Sequence, residues 1–491
     1  MQLWLAVLAL SAAAEPALWP QPTLVSLLGP TLSLDPTSFA FSSASSSPLL
    51  ARALQRYKAL AFLPAAPQWW PPQPAPTAAL ARLVVTVASD QESLTLSTSE
   101  AYNISLPAAG GDGLLSADTV FGALRGLETF SQMVGYLGAS FLVNAAVVND
   151  APRFQHRGAL VDSSRHFLAL PALQAFVDAL AYTKMNVLHW HIVDSQSFPY
   201  VSAAFPNLSA AGAYPPVERH TYSQADVVTL VSYAKDRGVR VVVEFDTPGH
   251  SDSWGLGQPS LLTPCYNSSG APDGTFGPIN PTLDSTWAFL TAFFTEVAAV
   301  FPDPYLHVGG DEVGFDCWRS NPSVVAWMAA HGMAGNFSAL ESYYVQRLLR
   351  LVQALGKTPV GWQEIFDNGL ELTPDTLVHV WKNPFAAGQL ELARVSAGGQ
   401  KALLSAGWYL NYISYGPVWE AAYSQDPLNF TGTPAQKVRG NFPPSPPLRA
   451  PLQLTHCFPP PTPPPLRLLG RPLCKAGSLR CGVSSLTPPI C

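Results

Sequence analysis

Seven short apolar runs, each ending in charged or aromatic residues, constrain this chain more than any other feature. They are Gly158–Asp162, Asn186–Asp194, Val239–Asp246, Tyr305–Gly310, Thr358–Glu364, Thr376–Trp381 and Lys401–Ser405, with helical candidates between them. Before the third run, Ser223 with Asp226 three residues on predicts a capped helix start, and Gly238 its stop. Seven β/α units in series fit a parallel barrel or a doubly wound open sheet. The polar residues decide between them. Almost every run closes on them: Asp162 and Arg165, His189 to Asp194, Glu244 to His250, Asp311-Glu312, Trp362 to Glu364, Trp381, and Trp408-Tyr409. An open sheet binds at one switch-point crevice, whereas a barrel gathers all its strand ends on one rim.

The expected fold is therefore α/β, a (β/α)8 TIM barrel over residues 151–440 of which seven strands are found and the eighth is missing, preceded by a small α+β domain over 15–150. In that first domain, Leu83–Val87 and Ser93–Ser97 read as strands and Ser116–Val134 as a helix. The 491 residues suffice for both domains, and 48% apolar against 12% charged residues supplies a large core. A net charge of −6 without a basic stripe excludes nucleic acid as a partner class.

Residues 1–14, an apolar run followed by Ser11-Ala-Ala-Ala14, read as a signal peptide, and no later stretch is long and apolar enough to span a bilayer. Entry to the secretory pathway agrees with five glycosylation sequons, at Asn103, Asn207, Asn267, Asn336 and Asn429. Of six cysteines, Cys265 and Cys317 lie in the globular body. They are expected to form a disulfide rather than a metal site, since neither has a Cys-x-x-Cys partner.

The chemistry centres on Asp311-Glu312 after Gly309-Gly310. Neighbouring residues in a strand face opposite sides, so both acids serve one site only where the strand ends and the chain turns. The glycines permit that turn. Hydrolysis of a glycosidic bond needs an acid for the leaving oxygen and a group to stabilise the positive sugar centre. Trp362, Trp381 and Trp408, on three successive strand ends, suit the apolar faces of a sugar ring, although each also fits plain core filling. His189 and His191, with Asp194, His250 and Asp311, could equally form a divalent metal site, which keeps a metal-dependent hydrolase open.

These residues closely resemble glycoside hydrolase family 20, in particular its lysosomal β-hexosaminidase subunits. The matching stretches are His156–His166, Met185–Asp194, Glu244–His250, Leu306–Val313, Gly361–Glu364 and Leu404–Asn411. The resemblance spans roughly residues 16–437. It implies no metal and no cofactor, and substrate-assisted, retaining removal of terminal β-linked N-acetylglucosamine or N-acetylgalactosamine. It implies Glu312 as acid and then base, with Asp311 holding the acetamido N–H and Tyr409 its oxygen. Arg165 would bind hydroxyls, Trp362, Trp381 and Trp408 would wall the pocket, and Asp194 and His250 would support Glu312. Asn411 would lie at the rim. A lysosomal lumen, with secretion as the alternative, glycan substrates and a homo- or heterodimer are further implications.

The chain departs from the family at three places. Ser195 stands where a second Asp is usual, and Tyr412 where one subunit type has an Arg for anionic substrates. After Lys437 the expected eighth strand, with its pocket-closing Trp and Glu, gives way to a Pro-rich segment. Residues 441–491 contain no Asp or Glu and read as disordered. A barrel of seven strands leaves its first and last strands as open edges. The expectation is a hydrolase by descent whose stability or turnover is impaired, with a sugar-binding form as the alternative.

Overall fold

The N-terminal domain forms because two capped helices cover one face of a twisted sheet. Pro48–Ala61 begins at Ser47, whose Oγ accepts the Leu50 N–H at 3.1 Å, and Val120–Met133 begins at Thr119, which accepts from Gly122 at 3.1 Å. The computed structural model describes residues 18–63, 75–137, 140–215, 220–382 and 384–433. The signal-peptide segment 1–14 and the tail 441–491 lie outside the described residues. The sheet contains β1 (Leu24–Leu34), β2 (Ala40–Ser43), β3 (Ala78–Ser89), β4 (Tyr102–Leu106), β5 (Gly111–Thr119), β6 (Gly135–Leu137) and β7 (Ser140–Asp150). They pair in the order β1-β3-β5-β4-β7-β6, with β2 on β3 and a further β1–β7 pairing. Leu83, Ile104 and Leu115 of the sheet and Phe121 and Phe130 of the second helix are among the fully buried residues of the core between them.

Two expectations in this domain need correction. Ser93–Ser97 is not a strand but a turn, in which the Thr95 N–H bonds the Thr98 hydroxyl at 2.9 Å. Hydroxyl side chains there compete with ladder bonds for the local backbone. The segment from Ser116 continues β5 as far as Thr119, and the helix starts only at Val120, where Thr119 caps it.

The second domain adds β8 (Gly158–Asp162), β9 (Val187–Val193), β10 (Arg240–Phe245), the hairpin β11 (Leu262–Tyr266) and β12 (Pro272–Ile279), β13 (Tyr305–His307), β14 (Thr358–Trp362), β15 (Leu377–Val380) and β16 (Lys401–Leu404). All seven strand runs expected from the sequence are present, Gly158–Asp162 with the expected bounds and the other six shorter. β8-β9-β10-β13-β14-β15-β16 form one parallel sheet in that order. Helices Leu170–Tyr182, Gln224–Lys235, Asp284–Val300, Phe337–Ala354 and Phe385–Ala397 run between successive strands. Gln224–Lys235 carries the expected capping box of Ser223 and Asp226.

Every residue of β9 and β10 is buried. Among the described residues, β8 and β16 each pair on one side only, and Leu160 on β8 is 44% exposed. The sheet is thus a curled, partly open barrel. A buried ion cluster joins it to the first domain: Glu100 accepts from Arg125 at 2.7 Å and from Arg157 at 2.6 Å, while Arg125 donates to the Gly238 carbonyl at 2.7 Å. Cys265 and Cys317 are disulfide-bonded, tying β11 to the helix that follows the acid loop. All five sequon asparagines are exposed.

Candidate active site

β13 ends at His307, and the chain then turns through Gly309 (φ +71°), Gly310 (φ +94°) and into Glu312 (φ +50°). A Cβ at Gly309 would run into the Asp246 carboxyl, and one at Gly310 would approach Ile365 to 3.0 Å. The left-handed Glu312 and His250 (φ +52°) are strained for residues with a Cβ, at a cost on the order of 1–3 kcal/mol each. This turn brings the two acids to one side. His250 Nε2 lies 3.7 Å from Asp311 Oδ2 and 3.5 Å from Glu312 Oε2. One oxygen of each acid lies within 4.8 Å of the other.

The two acids sit in different surroundings. The Glu312 side chain is 59% exposed, whereas Asp311 is largely buried. Burial pushes the Asp311 carboxyl up to about 6, against the pull of its hydrogen bond with Asp246 and of nearby His250. Asp246 is fully buried and accepts the Gly310 N–H at 2.9 Å. Burial, together with Asp311, pushes it well above the carboxylate range, so of this pair Asp246 keeps the proton and Asp311 ionises first. Asp311 Oδ1 and His250 Nε2 are buried and make no hydrogen bond among the described residues, as groups open to a ligand do.

Behind His250 stands Asp194, at 3.3 Å from Nδ1. Asp194 also receives His191 Nε2 and Arg165 Nη2, both at 2.8 Å, while Arg165 reaches Asp162 at 2.9 Å. Burial alone would raise the Asp194 pKa, but its hydrogen bonds with His191 and His250 outweigh that and hold it below the usual range. Ser195 donates its backbone N–H to Asp194 at 2.6 Å.

The aromatic wall is only partly as expected. Trp362 is buried and donates Nε1–H to Glu244 at 2.8 Å. Its ring meets Trp381 at 6.2 Å, and Trp381 meets Tyr409 at 6.3 Å, which stacks on Tyr412 at 5.4 Å. Trp408 is directed elsewhere: its indole donates to the Ala422 carbonyl at 2.9 Å and packs on Phe385. Asn411 is exposed.

A cleft of about 650 Å³ opens beside Glu312, lined also by Phe315, Glu341, Glu364, Trp381 and Tyr412. Glu364 is held by Trp381 Nε1 and by Lys382, both at 3.0 Å. Sequence reasoning missed Glu341, a carboxylate on a helix with no motif around it. Among the described residues, three groupings have metal-ligand atoms within 4.8 Å of one another: His189, Glu244 and His307; Asp194, Asp246 and His250; and His250, Asp311 and Glu312. In the first two, imidazole and carboxylate already bond each other, His189 to Glu244 and His250 to Asp194.

A parallel barrel with paired acids and an aromatic wall on its C-terminal rim defines a barrel glycoside hydrolase. The glycosyl hydrolase family 20 catalytic domain matches residues 154–439, and a β-acetyl hexosaminidase-like domain matches residues 18–133. The β-hexosaminidase subunit alpha of Bos taurus is 46% identical over 436 residues, which cover 86% of this chain and 81% of that protein. The subunit beta of Homo sapiens is 45% identical, covering 87% and 77%. The solved structure of Flavobacterium johnsoniae chitobiase superposes with a TM-score of 0.72 at 26% identity, covering 86% of this chain and 64%, just under two thirds, of that longer one. The chain belongs to glycosyl hydrolase family 20.

Proposed function

We propose that this chain removes terminal β-linked N-acetylglucosamine or N-acetylgalactosamine from glycans by substrate-assisted, retaining hydrolysis. The observation that carries the reading is Glu312 at the mouth of a cleft shared with Trp381, while His250 links it to Asp311. Glu312 gives its proton to the glycosidic oxygen as the substrate's acetamido oxygen bonds to the anomeric carbon. Asp311 accepts the acetamido N–H and stabilises the resulting positive ring. The Glu312 carboxylate then takes a proton from water, which attacks the same carbon and restores the β configuration. An internal nucleophile needs no enzymic one and gains from proximity.

Trp362, Trp381 and Tyr409 form the sugar's apolar and acetamido wall, with Trp408 buttressing the loop behind it. Arg165 binds hydroxyls, and Asn411 and Tyr412 stand at the rim. Residues 15–150 act as a supporting domain to a catalytic barrel over 151–440. The site of action is the lysosomal lumen. A homo- or heterodimer forms through the loop after β16, where Leu410, Ile413 and Tyr415 are each over 90% exposed.

The test is release of chromophore from an aryl N-acetyl-β-glucosaminide at acid pH, by the wild type and by Glu312→Gln. Turnover should fall on the order of 10²–10⁴-fold in the variant while sugar binding persists. Equal rates would remove Glu312 from its role. The open seam between β8 and β16 favours a second reading, a form that binds the sugar without hydrolysing it. N-acetylglucosamine binding by a wild type without turnover would select it.

A further inference from the structure

We propose that Glu244 is a positioning residue for this reaction, acting through His191, which is held as an imidazolium between Glu244 and Asp194. The proposal rests on the assignment of Glu312 as the acid. His191 Nδ1 lies 2.8 Å from Glu244 Oε2, and its Nε2 lies 2.8 Å from Asp194 Oδ2. An ionised carboxylate only accepts hydrogen bonds, and a neutral imidazole has a single N–H. A neutral His191 would therefore press a lone pair against one of its partners. Arg165 on Asp194 and the Trp362 indole N–H on Glu244 keep both carboxylates as acceptors. Burial opposes the charge on His191, but Glu244 and Asp194 outweigh it and lift its pKa to about 10.

The other groups facing Glu244 do not replace this cation. His307 Nδ1 accepts the Gly309 N–H at 3.1 Å and stands off Glu244 Oε1 at 3.4 Å, against 2.8 Å for His191, which leaves its proton on Nε2, 3.3 Å from His379. Burial holds His307 and His379 neutral. His189 contributes one donor, Nε2, at 2.8 Å. Beyond Asp194, Arg165 and Asp162 form the outer pair. Register explains the meeting, since Glu244 on β10 lies beside His191 on β9 and His307 on β13. Glu244 thus fixes two parts of the site at once. One oxygen pins the Trp362 indole, and the other fixes the charge on His191. Asp194 in turn orients His250 towards Glu312.

Glu244→Gln tests this, because it keeps the shape and removes the charge. The variant should fold with a cooperative transition, and kcat on the aryl glycoside should fall about 10²-fold with KM changing much less. In histidine-labelled wild type, NMR should show an imidazolium that does not titrate up to about pH 8, and this signal should become neutral in Glu244→Gln. A kcat within about twofold of wild type overturns the proposal. So does a wild-type spectrum in which every histidine is neutral at about pH 8, a result that stands even where the variant fails to fold. Glu312→Gln is measured in parallel. If it retains activity, the acid assignment has failed, whereas a silent Glu312→Gln beside a fully active Glu244→Gln refutes only the role of Glu244.

Discussion

Nε2 of His250 lies 3.5 Å from Oε2 of Glu312, while its other ring nitrogen faces buried Asp194 at 3.3 Å. The imidazole therefore couples an exposed acid to a buried anion. Replacing His250 by Ala should lower kcat about 10²-fold with a small change in KM. In a Glu312→Gln background the same change should add little, because the two act as a unit. A double-mutant cycle on the aryl glycoside measures this, and fully additive losses would separate the two residues.

Gly309→Ala should abolish activity and lower the melting temperature. The position has φ +71° and its Cβ would occupy the space of the Asp246 carboxyl. Displacing Asp246 also frees the Gly310 N–H that it accepts. Thermal unfolding and the aryl-glycoside assay together check this; a variant with wild-type values in both would show that the turn has slack.

How much of this was legible in the sequence follows from where each signal resides. The strands were readable because apolar runs ending in polar residues need only local chain to be recognised. Asp311-Glu312, Arg165 and Asp194 came from motif positions, and all lie on the C-terminal rim. Trp408 did not behave as the spacing implied, because its indole direction is set by Phe385 and by a carbonyl at residue 422, contacts made within the following loop. Glu341 was invisible, since a single carboxylate on a helix is ordinary until folding brings it beside Glu364. Ser93–Ser97 reads as a strand, but hydroxyls there bond the local backbone instead of leaving it to a ladder. The Glu244–His191 contact depends on strand register, which no local pattern specifies.

The interdomain cluster predicts a stability effect without a direct catalytic one. Glu100 is buried between Arg125 and Arg157. Burial raises its pKa, but the two guanidiniums outweigh it and hold the carboxyl down. Glu100→Ala strands two cations and should cost about 3–5 kcal/mol in unfolding free energy. Denaturant unfolding measures it, and a loss below about 1 kcal/mol would mean that water enters the interface.

Glu341 gives a pH-dependent signature. Burial, reinforced by Glu364, lifts its pKa from 4.5 to about 7 in the folded chain. The folded state then binds the proton more tightly than the unfolded one, so this group favours folding at acid pH and its contribution declines as pH rises through about 7. Glu341→Gln removes that dependence. The melting temperature of the variant relative to wild type should therefore rise between pH 4.5 and about 7 and level off above that. A difference that stays flat, or falls, contradicts the shift.

The substrate's own acetamido group supplies the nucleophile in this account, while Asp311 only steadies it. The direct measurement compares kcat/KM for aryl β-glycosides carrying N-acetyl, N-trifluoroacetyl or no acetamido group, with the anomer of the first sugar released read by NMR. The account predicts a steep fall on fluorination, no turnover of the plain β-glucoside, and the β anomer as first product. Comparable rates on all three, or an α anomer, would contradict it.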